Sequence, residues 1–156
     1  MDTPRLAYQL VKREPPAGDL YDLVGGGVSR DGFKKLINAL LFATGPLTRW
    51  PSQTSSLFVA GTKLCDAVSL VRSCHSAIAA LFGTGIGFRL MFTESNILIE
   101  ALFDLYARGV TALPLHDSVL VAASEAEVAK TVMEEAFERA TGESGGKLKV
   151  DFGQQS

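Results

Sequence analysis

Two cysteines in 156 residues, Cys65 and Cys74, are too few for a disulfide framework, and neither stands in a CxxC pair or near paired histidines. That leaves reduced thiols expected in the core and speaks against a Cys/His metal cluster. Long apolar runs are lacking too. No stretch approaches the ~18 uninterrupted apolar residues of a membrane-spanning helix. The opening MDTPRLAYQLVKREPP has no apolar core of the secretory kind, so the expected location is the cytoplasm. An excess of positive charge is also missing: 15 Lys and Arg stand against 17 Asp and Glu, for a net charge of −2 and a pI near 5.7. Bulk electrostatics therefore give no support for a nucleic-acid surface, which would have to be a local patch. What is present is a globular composition, 47% hydrophobic and 21% charged, without repeats or low-complexity tracts. A chain of this length buries roughly 68–70% of the surface it exposes when unfolded.

Periodicity divides the chain. Residues 5–12 read as a short helix or strand, closed by Glu14-Pro15-Pro16-Ala17-Gly18, and Asp19 to Val24 runs into Gly25-Gly26-Gly27. Ser29 is placed to cap a helix starting at Arg30, with Phe33, Leu36, Ile37, Leu40 and Leu41 inward. Leu64 to Phe82 has helical spacing, Phe88 to Phe92 reads as extended, and Thr93 opens a helix with Ile97, Leu98, Ala101, Leu102 and Leu105 inward, stopped by Gly109. Then the period shortens. Val110 to Val121 predicts a strand–turn–strand hairpin with His116-Asp117-Ser118 at its turn. Residues 125–140 form another helix, and 147–152 alternate as a last strand would. The expected class is α+β: a small antiparallel sheet packed against several helices, in one unit over residues 1–156.

Two constellations could carry chemistry. An aspartate among the apolar residues of Leu115-His116-Asp117-Ser118-Val119-Leu120-Val121 is costly to bury unless paired. At a tight turn it can instead project from the sheet while its neighbours stay in the core. Phosphoryl and nucleotidyl transfer use such a carboxylate, because Mg²⁺ prefers oxygen ligands and bridges protein to phosphate. The plain alternative is a solvated turn residue. The second constellation is Arg30, Lys34, Asn38 and Phe42, a spacing of four that keeps them near one helix edge. Arg grips phosphate in bidentate fashion, Lys acts as a point charge, and a ring can lie against a sugar or base. Here the plain alternative is a solvated basic edge with Phe42 in the core.

Taken in order, these motifs resemble the family A DNA polymerases and the phage-type single-subunit RNA polymerases. Their fingers helix carries Arg-x₃-Lys-x₇-aromatic, soon followed by Gly, and a later palm hairpin carries His-Asp. Arg30, Lys34 and Phe42 match that spacing, with Gly45 three residues past the ring rather than adjacent to it, and His116-Asp117-Ser118 matches the palm hairpin. Asp19-Leu20-Tyr21 resembles an upstream Asp-Ile-Tyr element, and Thr93-Glu94-Ser95-Asn96 the helix before the hairpin. The resemblance implies a palm-like sheet, with a fingers-type helix at about 29–45 and palm elements at about 93–152. It implies Arg30 and Lys34 on the nucleotide phosphates and Phe42 by the sugar. Asp117 would bind Mg²⁺, and His116 would position the primer or transcript end. Template, primer and nucleoside triphosphates are the implied partners. The phenylalanine at position 42 points to DNA rather than RNA synthesis, since a tyrosine there is the RNA-type feature.

Such enzymes use a second palm aspartate, and Asp2 stands too close to Arg5 to match it. The expectation is a fragment with weak or absent polymerase activity alone, joined to a missing N-terminal portion or self-associating through exposed apolar surface. Two other readings stay open. His75, His116-Asp117 and Asp151 follow the H…HD…D order of metal-dependent phosphohydrolases, although those hold the pair on a helix. A non-catalytic α+β binding module is the other.

Overall fold

A computed structural model describes residues 3–116, 118–142 and 150–151. The chain forms two compact units, Asp2–Leu90 and Met91–Ser156. The first contains the helix expected from Arg30, and the second contains the expected hairpin.

In the first unit, α1 (Thr3–Leu10), α2 (Arg30–Phe42) and α3 (Leu64–Cys74) pack with two short 3₁₀ turns, Ser55–Leu57 and Ser76–Leu81. The spacing of three and four in α2 produces a single buried stripe: Leu36, Ile37 and Leu41 are fully enclosed, with Phe33 and Leu40 almost so. Gly32 shares that face because the Phe58 ring lies against it; a Cβ there would come within 2.7 Å of the ring. Helix α2 starts where expected but not by the expected cap. Ser29 is left-handed (φ 55°, ψ 18°) and its hydroxyl makes no capping bond. Its carbonyl instead accepts from Phe33 N–H at 2.9 Å. The three glycines Gly25, Gly26 and Gly27 are also at positive φ, so the chain turns tightly into the helix through backbone geometry.

The C-terminal end of α2 is satisfied from a distance. Gly83 N–H donates to Leu40 O at 2.8 Å, and Gly85 N–H to Ala43 O at 2.7 Å. Orphan carbonyls at a helix end need such partners. A glycine-rich stretch that reads as a mere interruption is thus a cap.

The expectation of an extended Phe88 to Phe92 is wrong: α4 runs over Ile86–Ala107, beginning well before Thr93. Both sides of this helix are apolar, which hides its period. Ile97, Ala101 and Leu105 are fully buried, whereas Phe92, Ile99, Phe103 and Tyr106 line an exposed side, Phe103 at 70% and Tyr106 at 83%. That side forms a row of exposed apolar residues. The end of α4 is as expected. Gly109 (φ 74°) donates to Tyr106 O, and Val110 N–H reaches back to Leu105 O at 2.9 Å, the bonding of a Schellman cap.

In the second unit, β1 (Ala112–Leu115) and β2 (Ser118–Val121) pair antiparallel, Leu115 opposite Ser118 and Pro114 opposite Val119. A 3₁₀ turn, Ala123–Glu125, leads into α5 (Ala126–Thr141), whose Val132, Met133, Ala136 and Phe137 are buried. Arg108–Glu135 and Arg139–Asp104 ion pairs tie the C-terminal end of α4 and the residue after it to α5. The described class is α+β with a two-stranded sheet. The strand expected at 147–152 lies outside the described residues, apart from Val150 and Asp151, which are in neither helix nor strand.

Candidate functional site

Helix α2 presents its cations on the side away from the buried stripe, and the turn at residues 19–21 comes up beneath them. Asp19 is the hinge of that turn. One of its carboxylate oxygens accepts from Tyr21 N–H at 2.9 Å, and the other from Arg30 Nε–H at 2.5 Å. Those two donors, Arg30 first and then the Tyr21 amide, hold its carboxyl below the usual carboxylate range. The same bond secures Arg30 in its charged form. Tyr21 is buried, and its ring faces both cations: the Arg30 guanidinium lies 5.5 Å and the Lys34 ammonium 5.8 Å from its centroid. Contacts of this kind hold a cation at a defined place; Arg30 is in addition ion-paired, with Asp19 and with Asp31 at 3.5 Å. Lys34 itself is exposed.

Two motifs that are separate in the sequence, Asp19-Leu20-Tyr21 and Arg30-x₃-Lys34, therefore form one shelf. An exposed ammonium and a partly exposed guanidinium sit one helical turn apart over an aromatic floor. A polyanion placed there meets charge-assisted donors.

The other two members of the row go elsewhere. Asn38 is half-buried. Phe42 packs edge-on against Phe88 at 5.2 Å, over Gly87, where a Cβ would come within 2.7 Å of the ring. Gly45 lies against Gly83, where a Cβ would stand 3.1 Å from the Gly45 carbonyl oxygen.

Ser118, expected in the turn, instead starts β2 opposite Leu115, which leaves a two-residue loop. His116 occupies its first position, exposed and left-handed (φ 55°), the geometry of tight primed turns. Asp117, the second loop residue and the expected metal ligand, lies outside the described residues. The flanking residues do not stay in the core as expected: Leu113, Leu115 and Leu120 are each more than half exposed. The reason is size. Two strands of four residues have only part of one face to pack, and Val119 and Val121 take it.

His75 is a functional-looking residue whose place only the structure reveals. It sits just after α3, fully buried. Leu20 O lies 2.9 Å from its Nε2 and can only accept, so Nε2 carries the proton; Tyr8 Oη–H, at 2.7 Å, must then donate to Nδ1. Both ring nitrogens are used, which leaves none for the metal that the phosphohydrolase order would require. The thiols are free, Cys65 exposed and Cys74 half-buried, so Cys65 is not the core thiol expected. An open cleft of about 410 Å³ lies beyond α2, lined by Leu40, Pro46, Leu64, Cys65 and Arg72 among others.

Burial lowers the His75 pKa below 6.5, and burial first, then Cys74, pushes Tyr8 up to about 12. The folded chain thus binds the imidazole proton less readily than the unfolded one does. His75 stabilises the fold fully above pH 6.5, and that contribution is lost as pH falls through its depressed value. Tyr8 acts in the opposite sense, its contribution intact below pH 10 and lost as pH rises towards 12. Urea midpoints measured across pH should be level from about 7 to 10 and fall on both sides. A Tyr8→Phe variant should lose the alkaline fall; its persistence there would contradict the assignment.

Comparison with protein-family models, with curated proteins and with solved structures yields no match. No described helix is long and apolar enough to cross a membrane.

Proposed function

We propose that the chain binds a nucleoside triphosphate on α2 and belongs to a template-directed nucleotidyltransferase, DNA-synthesising rather than RNA-synthesising, acting with a nucleic-acid template and primer. The observation that carries this reading is the shelf: Asp19, Tyr21, Arg30 and Lys34, drawn from two motifs of the resemblance, meet in space. Arg30, oriented by Asp19, and Lys34, spaced by the Tyr21 ring, would receive the phosphates. His116, on its two-residue loop, would face the primer end.

Mg²⁺ belongs to this reading through Asp117. Among the described residues no group of three or more His, Cys, Asp or Glu side chains could hold an ion. They do not make up a metal site by themselves.

The test is competition. A fluorescent deoxyadenosine triphosphate should bind saturably and be displaced by unlabelled triphosphate at least about 10-fold better than by monophosphate, since each phosphate removed takes away a charge-assisted bond. Equal displacement by adenosine would mean that the site does not read phosphate, and the reading would fail.

A further inference from the structure

The buried imidazole of His75 and the cation shelf are connected by a single residue. Leu20, whose carbonyl accepts from His75 Nε2–H, stands between Asp19, which holds Arg30, and Tyr21, which lies under both cations. Consecutive Cα atoms are about 3.8 Å apart, so a displacement at Leu20 reaches both neighbours at once. On its other side the ring is anchored by Tyr8 of α1, itself buried, so the hydrogen-bonded chain runs Tyr8, His75, Leu20.

We infer that His75 is a positioning residue for the shelf: it fixes the 19–21 turn so that Arg30 and Lys34 stand ready for phosphate. This rests on the triphosphate reading of that shelf. A buried neutral imidazole must place its one N–H on some acceptor; here the acceptor is the carbonyl between the two residues that contact the cations.

Two substitutions separate positioning from packing. The amide of Gln reaches the position of Nε2 and that of Asn only the position of Nδ1. His75→Gln therefore keeps a donor for Leu20 O, while His75→Asn keeps only the Tyr8 side. Both are to be measured well below their melting temperatures, with a fluorescent deoxyadenosine triphosphate as probe and Leu36→Ala as a destabilised control in which no shelf residue is replaced. The expected result is a Kd weakened about 10-fold in His75→Asn and within about 2-fold of the parent chain in His75→Gln and in the control. Equal affinity in all of them overturns the inference, as does equal loss in both His75 variants. If the parent chain binds no triphosphate, the functional reading fails instead. The positioning claim is then decided by the Arg30 Nε–H resonance, whose chemical shift reports the bond to Asp19. Its loss in His75→Asn with retention in His75→Gln supports the claim, and retention in both overturns it. Should His75→Asn not fold, His75→Leu takes its place: it fills the ring's position without a donor for Leu20 O, and an unchanged Kd and resonance there overturn the claim.

Discussion

Replacing Arg30 and Lys34 together by alanine is expected to weaken triphosphate binding about 100-fold or more while the chain stays folded. A hydrogen bond to a charged group is worth about 1.5–3 kcal/mol net, and about 1.4 kcal/mol is a factor of ten in affinity. Removing two such bonds at once therefore costs upwards of about 3 kcal/mol. The cost to stability is small for a separate reason. The Arg30–Asp19 pair lies at the surface, with side chains 40% and 39% exposed, where solvent and salt screen an ion pair so that little of its attraction reaches stability. Arg30→Lys should restore only part of the affinity, because an ammonium lacks the planar fork that both Asp19 and a phosphate can use. Fluorescence titration alongside a thermal melt reads both quantities. Binding by the double variant within about twofold of the parent would place the phosphate site elsewhere.

The largest effect on stability is expected from Leu36→Ala. Leu36 is fully enclosed, on the face of α2 that meets α1, α3 and the Ser55–Leu57 turn. Truncating such a leucine removes its transfer energy and leaves a cavity, at about 2–5 kcal/mol. Against a total stability of about 5–15 kcal/mol that is a large fraction, equivalent to a Tm lower by about 5–20 °C. Leu120→Ala is the internal contrast. Leu120 is 59% exposed, and surface changes of this sort stay within about 0.5 kcal/mol. Urea midpoints that rank the two the other way would contradict the packing of α2.

The helix at Arg30–Phe42 is legible in the sequence because its apolar residues recur at three and four with polar residues between. The hairpin is legible because a break in that period coincides with β-branched residues around a polar triplet. Residues Phe88 to Phe92 mislead because α4 carries apolar side chains on two faces, so no single stripe betrays a helix. Ser29 misleads in another way: a serine before a helix can cap with its hydroxyl, but three glycines ahead of it let the backbone take a left-handed step instead.

The site is legible in its residues but not in its connections. Spacing alone puts Arg30 and Lys34 on one edge of a helix. That Asp19 reaches Arg30 across eleven positions, or that Tyr21 lies under both cations, depends on the path of the 18–29 loop, which no periodicity records. His75 is the clearest case. Read alone it is a histidine in an apolar segment; its meaning comes from a phenol 67 positions away and a carbonyl 55 positions away.

The shelf can be tested on the isotopically labelled chain, titrated with deoxyadenosine triphosphate and followed through its amide and arginine side-chain resonances. A phosphate site on α2 predicts shifts concentrated at Asp19 to Tyr21 and at Arg30 to Lys34, saturating with the same Kd as the fluorescence assay. Shifts centred instead on Leu64, Cys65 and Arg72, around the open cleft, would contradict it.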